Sequence, residues 1–180
     1  MPAKLSARFV FGIAGFCSSR CLCAGPGRES TAACSTKCRA ADYDRGVSGP
    51  VFAYDWVTRS GELRPDGGSL RMKFKDGWDY QILSRVNRQG LSLLGDTEKI
   101  VPLGRQRIAA VEDHGALTVT IKFPRGEDML TISGYAPHRP KPKALQGKLN
   151  DTSYDPRTKI FRAQIAPAGS GEAILQVSPL

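Results

Sequence analysis

A chain of 180 residues with 41% hydrophobic content suits one packed domain with an appended segment. Its net charge of +9 is spread out: the first fifty residues carry 7 basic and 3 acidic side chains, the remainder 19 and 14. No run of five or six like charges marks a nucleic-acid arm, so the basic excess reads as a solvated face and no specific nucleic-acid partner is expected.

The chain opens with Met1–Arg8, basic through Lys4 and Arg8, followed by the apolar run Phe9–Phe16 and by small residues such as Ser18, Ser19, Ala24 and Gly25. That is the order of a secretory signal: charged start, short apolar stretch, small-residue cleavage zone. The apolar stretch is far shorter than the roughly 20 residues a bilayer crossing requires, so no transmembrane segment is expected. All five cysteines (Cys17, Cys21, Cys23, Cys34 and Cys38) lie in this region, and their odd number precludes complete internal pairing. Their spacing lacks the CxxC pairs usual in zinc sites, and the two histidines, His114 and His138, are remote, so neither a metal nor any other cofactor is expected. Residues 17–49 show little apolar periodicity. Residues 1–49 are therefore read as a leader outside the fold. As a signal it makes the protein secreted or periplasmic; as a disordered or spurious segment it leaves a cytoplasmic domain.

Residues 50–180 read as an all-β domain. Val51–Val57 alternates, with Phe52, Tyr54 and Trp56 on one face. Arg64–Gly68 is a proline- and glycine-containing turn. Ser69–Lys75 places Leu70, Met72 and Phe74 inward, and Asp76-Gly77 turns the chain into Trp78. Tyr80–Val86 and Leu91–Leu94 flank the polar loop Asn87–Gly90, which predicts a hairpin. Beyond Gly95-Asp96 come Lys99–Pro102 and, after Gly104, a basic run, Arg105-Gln106-Arg107, before the apolar Ile108, then a polar stretch, Val111–Gly115, closed by a His114-Gly115 turn.

Ala116–Phe123 alternates with Leu117, Val119, Ile121 and Phe123 on one face, and Met129–Tyr135 is a further strand. Pro137, Pro140 and Pro142 predict an extended surface connector, because proline cannot donate into a central ladder. Ala144–Leu149, Lys159–Ile165 and Ala173–Val177 finish the chain as short strands, separated by turns at Asp155–Arg157 and Ala168–Gly171. Strands of this length with Gly and Pro punctuation predict an antiparallel β-sandwich, with a barrel as the neighbouring alternative. No internal repeat is apparent.

Three acidic pairs could supply acid–base chemistry: Asp96 with Glu98, Glu112 with Asp113, and Glu127 with Asp128. A retaining glycosidase needs its carboxyls about 5 Å apart and an inverting one roughly 6.5–9.5 Å. All three pairs fall in turns or loops, where acids commonly serve solvation and turn hydrogen bonds. Neither histidine accompanies a nucleophile-elbow serine, and no glycine-rich phosphate loop occurs. No catalytic residue is expected. Aromatic residues could stack on sugar rings, though such side chains more often fill a core. Trp56 and Trp78 stand out because each has an acidic neighbour, Asp55 and Asp79, able to accept sugar hydroxyls; Tyr80 completes the candidate carbohydrate-binding set.

Tyr80–Val86, Gly90–Asp96, Lys99–Pro102, Gly104 and Arg107-Ile108 together resemble a segment of the C-terminal β-sandwich of bacterial glycoside hydrolases related to α-galactosidases and the raffinose-synthase/seed-imbibition group. Ala116–Phe123, Glu127, the strand ending at Tyr135, Tyr154–Ile165 and Gly171–Val177 resemble the same pattern in order. Arg85 stands where the pattern has proline after Ser84. In that family the sandwich follows a catalytic (β/α)8 barrel, which takes about 250 residues and does not fit in this chain. The resemblance thus implies a tail domain without its barrel and carries over no catalytic residues. It implies packing against a barrel and a hold on oligo- or polysaccharide. Two other classes remain beside it: a small secreted glycosidase using loop carboxylates, and a basic β-barrel that binds nucleic acid.

Overall fold

The computed structural model describes residues 13–15, 37–39, 49–65, 69–71, 79–99, 103–104 and 107–180. These residues form fourteen strands, all paired antiparallel, and no helix. The strands are β1 (Ile13–Gly15), β2 (Lys37–Arg39), β3 (Val51–Asp55), β4 (Ser60–Arg64), β5 (Ser69–Arg71), β6 (Asp79–Arg85) and β7 (Ser92–Gly95). They continue with β8 (Ile108–Asp113), β9 (Leu117–Lys122), β10 (Leu130–Tyr135), β11 (Lys141–Gln146), β12 (Lys148–Asp155), β13 (Ile160–Ala166) and β14 (Glu172–Ser178). A first sheet has the order β1-β6-β3-β4, a middle sheet β12-β13-β10-β7 and a back sheet β11-β14-β9-β8; β2 and β5 form a separate ribbon. Apart from β1, β2 and Gly49, the expected leader lies outside the described residues.

The middle and back sheets form the expected sandwich. Alternation dictates their facing surfaces: Leu117, Val119 and Ile121 of β9, and Ala173, Leu175 and Val177 of β14, are buried against Leu130 and Ile132 of β10 and Phe161, Ala163 and Ile165 of β13. Between β7 and β14 only the links β8–β9 and β12–β13 stay within one sheet; every other link crosses between the two. Gly134 stands opposite Phe161, and the ring lies over it: a Cβ on Gly134 would come within 2.3 Å of the Phe161 ring and 2.5 Å of the Ser92 carbonyl oxygen.

The first sheet covers the other face of the middle sheet. Phe52, Tyr54, Tyr80 and Ile82 pack on Leu94, Tyr135 and Ile160, with the Phe52 and Tyr135 rings stacked at 4.3 Å. Being covered on both sides, the middle sheet reads as continuous burial rather than alternation, as in Leu91–Asp96 and Ile132–Ala136.

Several local expectations change. The hairpin expected from Tyr80 to Leu94 is a corner between sheets: β6 pairs with β3 and β1, whereas β7 pairs with β10. The turn itself forms, with Asn87 N–H donating to the Leu91 carbonyl and Gly90 at φ +81°. Turn chemistry reverses the chain locally, but long-range burial chooses the ladder partner. Ile108–Asp113 is a strand, unexpected because as an exposed edge with a bulge it has almost no apolar alternation. The proline connector becomes regular at β11, where Pro142 lies on the edge of the back sheet. Ala144–Leu149 is divided between two strands at Gly147, whose φ of +87° turns the chain from the back to the middle sheet. Residues 72–78, 100–102 and 105–106, with the expected turn at Asp76-Gly77, lie outside the described residues.

Candidate functional site

Three of the proposed sugar contacts meet at one end of the first sheet. Asp55 closes β3 opposite Gln81, and the backbone N–H of Trp56 donates to the Tyr80 carbonyl at 3.1 Å. The Asp55 carboxylate turns back into its own loop, where Oδ1 accepts from the N–H groups of Val57 and Thr58, each at 2.9 Å. The Trp56 indole N–H donates to the Thr97 carbonyl at 2.9 Å, and its ring meets Tyr80 edge-on at 6.4 Å. Tyr80 is buried and Trp56 half-buried. Asp79 opens β6 opposite Gly15, and Trp78 lies outside the described residues.

The loop that Asp55 organises recurs a hundred residues later. Tyr54-Asp55-Trp56-Val57-Thr58-Arg59 matches Tyr154-Asp155-Pro156-Arg157-Thr158-Lys159, and the last residue of each adopts positive φ, +53° at Arg59 and +58° at Lys159. In the second copy Asp155 accepts from the Arg157 N–H at 2.8 Å and from the Thr158 hydroxyl at 2.9 Å. These bonds to the charged form hold the Asp155 carboxyl below its ordinary value. The repeat is confined to the turn, because the first strand of the earlier hairpin and the second strand of the later one are the internal ones in their sheets.

A row of hydroxyls runs along the seam between the first and middle sheets. The Tyr54 hydroxyl bonds the Thr97 side chain, and Thr97 Oγ1 lies 3.1 Å from Ser133 Oγ. Burial raises the Tyr54 hydroxyl above its ordinary value, while the bond to Thr97 and the charges of Arg162 and Arg59 act against that rise. Arg59 also lies 3.8 Å from Glu98 in an exposed pair.

The acidic residues do not pair with their sequence neighbours. Asp96 and Glu127 share Arg107, whose Nη1 is 2.5 Å from Glu127 Oε2 and 3.9 Å from Asp96 Oδ2. Asp96 is almost completely buried, at 2% exposure, and accepts from the Glu98 N–H at 3.1 Å. Burial pushes its carboxyl above the ordinary value, and the Glu127 charge acts in the same direction; the Glu98 N–H, Arg107 and Lys99 oppose it. Asp113 instead accepts from Asn87 Nδ2 at 3.0 Å, and Glu112 is exposed. His114 and His138 are both exposed, one between β8 and β9 and the other between β10 and β11. Sequence reasoning singled out Asp96 and Glu127 but in separate pairs; their convergence on Arg107 escaped it because the three residues come from separate loops.

Among the described residues no three His, Cys, Asp or Glu side chains converge as metal ligands, and no helix is long and apolar enough to cross a membrane. A scan of protein-family models matches no family, and a search of curated proteins finds no match.

Proposed function

We propose that residues 50–180 act as a non-catalytic accessory β-sandwich of a carbohydrate-active enzyme, with a structural role beside a catalytic (β/α)8 domain and a weak hold on glycan. The observation that supports the non-catalytic part is Arg107: Asp96 and Glu127 are both engaged by its guanidinium, and Asp96 is buried away from any incoming sugar. The glycan part is supported by the half-buried Trp56 at the lip of a hydroxyl-lined seam. Export to the periplasm or cell exterior fits the layout of residues 1–25.

The purified chain is expected to retain oligosaccharides weakly in affinity electrophoresis and to leave a panel of aryl glycosides intact. A second reading is favoured by Asp96, whose raised carboxyl beside Glu127 has the makings of an acid and base pair in a small secreted glycosidase. Turnover abolished by Asp96→Asn would establish that reading and overturn the first.

A further inference from the structure

Beyond the residues under Phe52, the outer face of the middle sheet is left partly open. Its rows run across three strands. The row Tyr135–Ile160–Asp155 begins under the first sheet, with Tyr135 and Ile160 in its core. In the next row Ser133 is buried, but its partners Arg162 and Ser153 are exposed. The cover therefore stops within this row, and Arg162 stands in the open at the foot of a step. Ser133 joins Thr97 and Tyr54 in the rising wall, Trp56 is tied to it through Thr97, and Arg59 lies 3.8 Å from Glu98, the residue after Thr97.

We propose that this step binds the acidic groups of a charged glycan, a uronate or sulfate on a sugar, with Arg162 as the principal anion contact and Arg59 as the second. The inference rests on the glycan reading above. Among the described residues Arg162 has no carboxylate within 4.0 Å, and the nearby acids hold local backbone: Asp55 and Asp155 each organise their own turn, and Asp151 Oδ1 accepts the Thr152 N–H. Arg59 has Glu98 only at 3.8 Å, with both side chains about two-thirds exposed (65% and 68%), so an incoming anion displaces little. Arg162 is placed at the step by its register with Ser133, which bonds Thr97, and Arg59 by its contact with Glu98, the residue after Thr97. A guanidinium fork recognises a carboxylate or sulfate through paired bonds, and the adjoining hydroxyls suit the uncharged positions of a sugar.

The test is titration calorimetry of the full chain with tetragalacturonate, a sulfated disaccharide, uncharged galactotetraose and a short single-stranded DNA. The native chain is expected to bind at least one acidic saccharide more tightly than the neutral one. Arg162→Gln weakens that binding about tenfold, the scale of one lost charge-assisted contact, and Arg162→Lys restores part of it. Arg59→Gln weakens it less, and the double change Lys141→Gln/Lys143→Gln on β11 leaves it unchanged. Equal binding by Arg162→Gln, or an equal loss on changing the two lysines, overturns the proposal in favour of general charge attraction. DNA binding as tight and as dependent on Arg162 makes this an anion site with no glycan role. Galactotetraose bound as tightly as the acidic saccharides, whatever stands at 162, removes the anion site and leaves the glycan reading intact. Failure of every saccharide to bind removes both.

Discussion

Between the middle and back sheets the buried side chains are aliphatic with one ring, Phe161. Between the first and middle sheets half of the buried set is aromatic: Phe52, Tyr54, Tyr80 and Tyr135 beside Ile82, Val86, Leu94 and Ile160. The chemistry at the margins differs accordingly. Leu, Ile and Val close a layer without polar atoms, so the larger cluster serves cohesion. Tyrosine carries a hydroxyl at the far end of an apolar body and brings a polar group to the edge of the layer it fills. The hydroxyl row lies at the margin of the aromatic cluster for that reason.

The largest expected effect is on the aliphatic side. Phe161→Ala should cost about 3–5 kcal/mol, the usual range for deleting a buried ring, and lower the denaturation midpoint of the sandwich as a whole. Phe52→Ala removes a similar ring from the aromatic cluster, with an effect toward the lower end of that range, about 3 kcal/mol. Hydrogen exchange tells the two apart: with Phe52→Ala, amides of β3 and β6 should exchange faster while those of β9 and β14 keep their protection. Equal acceleration in all four strands would show one cooperative core and end the distinction.

Gly134→Ala tests the contact between layers more finely. The added methyl meets the Phe161 ring on one side and the Ser92 carbonyl on the other, and the loss should be about 1–3 kcal/mol. Combining it with Phe161→Leu should give less than the sum of the two losses, because the smaller side chain relieves half of the clash.

Two aspartates should show opposite pH dependence. Burial raises Asp96 above 3.8, so its contribution favours folding fully below that value and is lost as pH rises through the higher folded value. Hydrogen bonds in the turn lower Asp155 below 3.8, so its contribution is present above that value and is lost as pH falls through the lower folded one. Urea midpoints from about pH 2 to 7 should therefore fall less steeply above pH ~4 in Asp96→Asn and less steeply below it in Asp155→Asn. A loss of stability at neutral pH in Asp96→Asn would mean that attraction to Arg107 outweighs the penalty of burial.

The smallest change is Trp56→Phe. It keeps the ring near Tyr80 and deletes the bond to the Thr97 carbonyl, a loss of about 0.5–1.5 kcal/mol in thermal or urea denaturation.

What could be read in the sequence was whatever a residue decides with its immediate neighbours. The alternation in Leu117–Lys122 and Glu172–Ser178, the Asn87–Gly90 turn and the Ala168–Gly171 turn are present where local pattern put them. Partner choice is set by distant residues, so the two strands around Asn87–Gly90 went to different sheets and Ile108–Asp113 was missed. The same limit applies to the site. Asp55, Trp56 and Tyr80 come together, but nothing in their spacing reveals that the carboxylate would be used by its own turn or the indole by Thr97, 41 residues away. Arg162, among apolar neighbours in a strand, gave no signal until Ser133 was placed beside it.

The two ends of the back sheet are unlike. At one end β11 presents Pro142, which has no N–H to offer, between the exposed charges of Lys141 and Lys143. At the other, β8 has no proline but carries a bulge and the exposed charges of Glu112 and Asp113. The back sheet is thus guarded at both ends by different devices, proline and lysines at one and a bulge with acids at the other, and neither end offers the flat, uncharged edge from which a fibre grows.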